Sequence, residues 1–239
     1  MNQALPTDKL KRSNQDDQIY IQMFAAILEQ KLLPGTKLSE DTLGEIFGVS
    51  RTIIRKVLQR LAYEKVVQIV PNRGAYVAEP TPEEAKEILE TRRIVEAAIM
   101  KAVVHRHDTF DLAALEKNLK AEEGSIENGE HSKWVALSGD FHLMLARIAG
   151  NNTLTEFLRE LVSRTSLIHV QYQKNKLAQQ SCSCEEHSDI LDAIKNRDEK
   201  KAVKLMDAHL SAIESALNLD GKDNANDLYR IFGNTAKQA

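Results

Sequence analysis

Three histidines in the C-terminal half of the chain each stand inside an apolar helical stripe. His142 has Val135, Leu145 and Ala149 at helical spacing, and His187 is followed by Ile190, Leu191 and Ile194. His209 lies among Ala202, Leu205, Met206, Ala212, Ile213 and Ala216. A neutral imidazole on a buried face needs polar partners for its ring nitrogens. Three rings from three helices can meet that need together by ligating one divalent metal ion. The alternative is three buried rings satisfied one by one by side chains and water. Imidazole-rich sites suit zinc or nickel, and manganese where oxygen ligands are added.

A second constellation lies near the N-terminus. From Ile46 to Tyr63 there are four basic residues and no acidic one. Arg51, Thr52 and Arg55 occupy the start of a predicted helix, with Lys56 and Arg60 close behind. Arg51 and Arg55, four apart, share a helix face, and each has the donor geometry to read guanine O6 and N7. Asn72, Arg73 and Gly74 form a turn whose glycine allows close backbone approach and whose arginine suits a phosphate or the minor groove. The competing explanation is a solvated basic helix face.

Other residues carry weaker signals. Arg92 falls within the stripe Ile88, Leu89, Val95 and Ile99, where a guanidinium must meet an anion. Glu96, one turn on, is the structural candidate. His169 has Thr165, Ser166, Tyr172 and Gln173 at helical spacing, a polar stripe suited to a pocket or to water. His105, His107 and His131 read as surface residues, and Trp134 as core or interface. Cys184 lies three residues before His187, close enough to approach a metal. With Cys182 it more simply forms an inert pair at a helix start.

The elements that must position these groups follow from pattern. Residues 1–14 are expected to be a flexible N-terminus. A helix over about 16–31 is stopped by Leu33-Pro34-Gly35, and a short helix begins at Ser39 with Leu43 and Ile46 inward. Phe47-Gly48-Val49-Ser50 is a turn, and Ser50 caps the basic helix, which runs to about Glu64. Val66 to Val70 and Ala75 to Val77 read as a hairpin. Two helices, a glycine turn and a hairpin make a winged helix-turn-helix over 15–79, which would bind double-stranded operator DNA. Ala78-Glu79-Pro80 is the linker. Thr81-Pro82-Glu83-Glu84 is a capping box with proline at the first helical position. Helices are expected at about 81–105, 109–127, 132–149, 153–175, 183–196 and 199–218, a C-terminal all-α antiparallel bundle over 80–219. Ser183-Cys184-Glu185-Glu186 reads as a second capping box, placing His187 in a first turn. Residues 220–239 are a polar tail. The fold class is therefore mainly α.

Composition agrees. At 239 residues, with 42 % hydrophobic and 28 % charged content, the chain suits two soluble globular units. No apolar run approaches a membrane span, and no signal-peptide core is present. Two cysteines so close together cannot staple a fold, which points to a reducing cytoplasm.

The stretch Leu33-Pro34-Gly35-Thr36-Lys37-Leu38-Ser39-Glu40, then Phe47-Gly48-Val49-Ser50-Arg51-Thr52, then Arg55, Leu58, Arg60-Leu61 and Pro71 to Val77 resembles the head of the GntR family of bacterial transcription regulators. The resemblance makes Arg51 and Arg55 the main base readers and Arg73-Gly74 the wing contact. The chain departs from some relatives in having Asp41 where they have arginine, and from many in having Lys56 where they have glutamate. Phe141-His142 with Gly150-Asn151, Glu186-His187 with Ile190 and Ala193-Ile194, and Ala202-Val203 with Met206 and His209-Leu210 resemble the FCD ligand-sensing domain of the FadR branch. Metal-bearing members use one Asp and three His. The three His map onto His142, His187 and His209, while Ser138 occupies the Asp position. Asp140 lies two before His142, on roughly the opposite helix face. The resemblance thus implies a three-His site completed by water or by an effector oxygen. It also implies that Arg92 faces the effector cavity and holds a carboxylate; His169, from its polar stripe alone, is the candidate for a further lining residue.

Together these readings describe a homodimeric cytoplasmic regulator, most simply a repressor, controlled by a small organic acid. Three His and a water also describe a hydrolytic zinc site, so a metal-dependent hydrolase is the alternative. No general-base motif accompanies the triad, and a hydrolase leaves the basic head without a role.

Overall fold

The computed structural model describes residues 7–29, 31–173 and 178–219, with the side chains of 7–14, 109–110 and 178–183 left out. The polar tail and the Cys182 side chain lie outside what is described. The head contains α1 (Thr7–Leu28), β1 (Lys37–Leu38), α2 (Glu40–Phe47), α3 (Arg51–Tyr63), β2 (Val67–Val70) and β3 (Gly74–Val77). The strands form an antiparallel sheet in the order β1-β3-β2, with Lys37 opposite Tyr76 and Val67 opposite Val77. α1 starts at Thr7, well inside the stretch expected to be flexible. The two-residue β1 is too short to leave a periodic signal in the sequence.

Local chemistry explains the helix-turn-helix. Ser39 caps α2 by accepting from the Thr42 N–H at 3.4 Å, and Gly48 ends it with φ 64°, a left-handed conformation that suits glycine. Ser50 takes extended backbone angles before α3 but makes no side-chain cap, so only its carbonyl serves the first turn. Ile54, Val57, Leu58 and Leu61 form the buried stripe of α3 against Ile19, Met23 and Ile27 of α1. Ile46, expected inward, is 68 % exposed. The eight-residue α2 buries only Gly44, and Leu43 is partly covered.

The body contains α4 (Pro82–Arg106), α5 (Thr109–Glu127), α6 (His131–Ala149), α7 (Asn152–Tyr172), α8 (Ala178–Lys195) and α9 (Glu199–Ser215). The capping box at Thr81 is realised in both directions: Thr81 N–H donates to Glu84 Oε2 at 2.9 Å, and Glu84 N–H donates to Thr81 Oγ1 at 3.2 Å. The second expected capping box is not. α8 begins at Ala178, so His187 stands in mid-helix. The buried stripe Cys184, His187, Ile190, Leu191 and Ile194 runs back through the expected cap, and packing of that stripe prolongs the helix. The main core joins α4 to α9 through residues such as Met100, Leu115, Phe141, Leu158, Ile194 and Met206.

α7 also serves the head. Its Leu167 is 1 % exposed and packs with the head core. Nearby, Glu64, at the end of α3, accepts from Tyr20 Oη at 2.6 Å and from Ser163 Oγ of α7 at 3.2 Å. α6 crosses α7 closely at Gly139, where an added Cβ would lie 2.9 Å from Val162 Cγ1. Gly139→Val is expected to destabilise the protein by about 1–3 kcal/mol through overpacking. A urea titration checks this, and an unchanged midpoint would mean the crossing accommodates the side chain.

Candidate metal centre and nucleic-acid face

α6, α8 and α9 bring His142, His187 and His209 together in the body. All three are buried, at 1 %, 0 % and 1 % exposure, and one nitrogen from each lies within 4.8 Å of the others. The sequence expectation that the three rings meet is thus realised in the fold. No further metal-ligating cluster occurs among the described residues.

Each ring also meets a carboxylate. His142 Nδ1 lies 2.5 Å from Glu96 Oε2, His187 Nδ1 3.0 Å from Glu122 Oε2, and His209 Nδ1 2.7 Å from Glu186 Oε2. These carboxylates come from α4, α5 and α8. An ionised carboxylate only accepts, so it draws the proton to Nδ1 and leaves the lone pair on Nε2. His187 Nε2 and His209 Nε2 then face each other at 3.2 Å as two acceptors, and buried His142 Nε2 has no partner. A cation among the three nitrogens removes both conflicts, and the carboxylate-histidine arrangement is the usual outer support of a metal site. The residues present therefore fit a divalent ion.

The protonation energetics point the same way. Burial, followed by the nearby Arg92 charge, holds His142 well below the ordinary imidazole range. Burial with Arg92 also lowers His187 to about 3, and burial with His187 lowers His209 to about 4. Neutral rings are the form that ligates. Burial pushes Glu122 up to about 7, against the opposing effects of His209, Cys184, Trp134 and Ser138. A protonated Glu122 could donate to His187 Nδ1 and let His187 Nε2 donate to His209. That pattern satisfies one pair without metal but still leaves His142 Nε2 alone.

The other sequence candidates sort cleanly. Arg92 is 3 % exposed and its Nε donates to Glu96 Oε1 at 2.6 Å, so the structural partner proposed for it is the observed one. Glu96 bridges Arg92 to His142, which sequence spacing alone did not reveal. Ser138 lies by the Glu122 carboxylate rather than among the ring nitrogens. Asp140 lines a cavity of about 570 Å³ beside Tyr20 and Arg159, and Arg147 and Arg159 are its charge partners. Cys184 is buried, burial and Glu122 push its thiol up to about 12, and the cluster of ring nitrogens does not include it. His107, expected at the surface, is 7 % exposed, with Nε2 3.0 Å from the Ile194 carbonyl.

His169 is buried beside Trp134, with ring centroids 5.9 Å apart, and its Nε2 has no partner. Burial, with a smaller effect of His131, lowers it to about 4. Its folded pKa lies below the unfolded value near 6.5, so its stabilising contribution is complete above that value and fades as pH falls toward 4. His169→Asn is expected to lose about 2 kcal/mol less stability than the unsubstituted protein between pH 7.5 and 5. Denaturant midpoints at the two pH values measure the difference, and parallel curves would contradict it.

In the head, Arg51, Thr52, Arg55 and Lys56 are exposed on α3. Asn72, Arg73 and Gly74 are exposed at the β2–β3 turn, where Asn72 and Gly74 take φ 61° and 101°. Arg60 lies over the Tyr20 ring at 3.6 Å and reaches Asp17 at 2.6 Å, so it is engaged with α1.

Comparison with known proteins agrees with both halves. Residues 15–77 match the family described as bacterial regulatory proteins, gntR family, and residues 87–212 match the FCD domain. The HTH-type transcriptional repressor RspR of Escherichia coli is 25 % identical over 211 residues, covering 88 % of this chain and 92 % of RspR. The HTH-type transcriptional regulator LutR of Bacillus subtilis is 28 % identical over 212 residues, covering 79 % and 94 %. The solved structure of E. coli McbR/YncC superposes with a TM-score of 0.72 at 22 % identity, over 84 % of this chain and 97 % of that one. A GntR-type structure from Rhodococcus gives the same TM-score and identity, over 88 % and 100 %.

Proposed function

The chain belongs to the GntR family, with an FCD effector-binding domain behind its DNA-binding head, and from that premise we propose a metal-bearing repressor released from its operator by a small carboxylate. The relatives it matches are transcriptional regulators, and the hydrolase alternative finds no support among them. The observation that carries the metal reading is the convergence of one nitrogen from each of three buried rings whose Nδ1 atoms meet carboxylates. His142, His187 and His209 hold the ion, with zinc or nickel favoured by three imidazoles and manganese accommodated if oxygen ligands complete the shell. When bound, the ion supplies positive charge that attracts an anionic oxygen.

Arg92 provides the second anchor. Glu96 accepts from its Nε and also meets His142, so one carboxylate links the guanidinium to the triad, which supports this role. A small organic acid between Arg92 and the ion satisfies both, and His169 is a candidate further lining residue. Two chains bind a palindromic operator as a homodimer, with Arg51, Thr52 and Arg55 of α3 in the major groove and Asn72, Arg73 and Gly74 on the backbone or minor groove. Effector binding changes the spacing of the two heads only by its differential affinity for the two arrangements.

The test is a thermal-shift screen of small organic acids, followed by titration of the best hit against the operator complex. Arg92→Gln keeps a hydrogen-bond donor for Glu96 and removes the charge. This variant is expected to bind operator and to lose release by the acid. Release equal to that of the unsubstituted protein would leave Arg92 as the structural partner of Glu96 alone.

A further inference from the structure

Every basic side chain of α3 faces a carboxylate from α1 or α2. Arg51 pairs through Nε with Asp41, and Arg55 pairs with Glu40 through Nε at 3.0 Å and Nη2 at 2.6 Å. Lys56 pairs with Asp16, and Arg60 with Asp17 at 2.6 Å. The first two pairs both engage the arginine Nε, Arg55 at two points and Arg51 at Nε alone. A guanidinium has a side edge, containing Nε–H, and a distal edge formed by its two terminal nitrogens. Asp41 and Glu40 both take the side edge. The distal edge, whose two parallel N–H groups match guanine O6 and N7, remains available. The side chains of Arg51 and Arg55 are 70 % and 60 % exposed, so solvent and DNA can reach them.

Asp41 itself stands in the first turn of α2, on the same DNA-facing head as the reading arginines. Its negative charge opposes phosphate there. An arginine free of Asp41 has many rotamers and can turn to any nearby phosphate, which carries no sequence information. An arginine held by its side edge keeps its plane and its distal edge in place before DNA arrives, so less rotamer freedom is lost on docking.

We propose that Asp41 is a specificity-determining residue. It positions Arg51 for a base edge and penalises its use as a backbone contact. Its effect is on the ratio of operator binding to non-specific binding, more than on operator affinity. This rests on the assignment of α3 as the helix that enters the major groove.

The test uses the full-length protein and two duplexes of equal length: one carrying the sequence selected by the unsubstituted protein from a random pool, and a scrambled one. Asp41→Asn is expected to bind the scrambled duplex more tightly, with a salt slope steeper by about one as Arg51 gains a phosphate. The operator-to-scrambled ratio is expected to fall about tenfold, and reselection from the pool to show relaxed preference at the base pair read by Arg51. A ratio within about twofold of the unsubstituted protein overturns the proposal, including the case where both affinities drop together with thermal stability. Arg51→Ala, run in parallel, separates the premise from the inference. If Arg51→Ala leaves base preference intact, Arg51 is not a reader and the premise fails. If Arg51→Ala relaxes preference and Asp41→Asn does not, only the role of Asp41 fails.

Discussion

Elemental analysis of the purified protein is expected to find about one divalent ion per chain, and His187→Ala and His209→Ala are each expected to lose most of it. The expectation follows from ligand number. Among the described residues the site has three protein nitrogens and no fourth protein ligand. Removing one leaves two, and the remaining shell would have to come from water. The Nε2 atoms of His187 and His209 are 3.2 Å apart, so either substitution also removes this nitrogen pair. Glu122→Gln tests the outer support. It keeps an amide that can accept from His187 Nδ1 but removes the charge, and it is expected to weaken metal affinity by roughly 10- to 100-fold. Asp140→Ala is expected to retain the ion, because Asp140 lies in the cavity beside Tyr20 and Arg159, away from the triad. Full occupancy in both histidine variants would show that the three rings are satisfied some other way. Competition with a fluorescent chelator gives affinities, and thermal denaturation of the metal-free variants shows that each still folds.

The histidines were legible because each sits in an apolar stripe with helical period, and burial of a polar ring is a conflict the sequence displays. Their supports were not. Glu96, Glu122 and Glu186 lie 46, 65 and 23 residues from the rings they hold. Glu96 and Glu122 are 1 % and 0 % exposed, yet nothing in local spacing distinguishes them from surface glutamates. The one signal available was Glu96, four residues from Arg92, and it predicted the ion pair but not the bridge to His142. Helix boundaries failed where packing competed with capping chemistry. Ser183 to Glu186 has the composition of a helix start, yet the stripe beginning at Cys184 continues the helix through it. His107 departs from its expected surface position for a related reason: it is the residue that ends α4, and its ring turns to the carbonyl of Ile194, a contact set by topology. The head was legible almost throughout because its signals are local. A serine cap, a left-handed glycine, an apolar stripe on α3 and a tight wing turn all lie within short windows. Beyond the start of α1, the short β1, the exposed Ile46 and the absent Ser50 side-chain cap, what local pattern does not show there is long-range pairing: the carboxylates of α1 and α2 that engage every basic residue of α3.

That pairing bears on the second large effect, the loss of operator recognition when a reader is removed. Arg55→Ala is expected to weaken specific binding by about 1–3 kcal/mol and to relax preference at one base pair, with Arg51→Ala behaving similarly at a neighbouring position. Both side chains lie on the exposed face of α3, and the buried face is fixed against α1 by Ile54, Val57, Leu58 and Leu61, so neither substitution disturbs the core. The loss has two parts. One is the base contact itself. The other is a carboxylate left without its cation near DNA: Glu40 for Arg55 and Asp41 for Arg51. That second part repels phosphate on any sequence, so non-specific affinity is also expected to fall, unlike the outcome for Asp41→Asn. Lys56→Ala should differ, because Lys56 pairs with Asp16 of α1. It is expected to weaken binding uniformly across sequences, with base preference unchanged. Footprinting and salt titrations on one operator duplex and one scrambled duplex distinguish the three variants. Metal content should be unchanged in all of them, since the triad is built from α6, α8 and α9. Unaltered footprints in both arginine variants would remove α3 from the groove and leave the wing as the reading element.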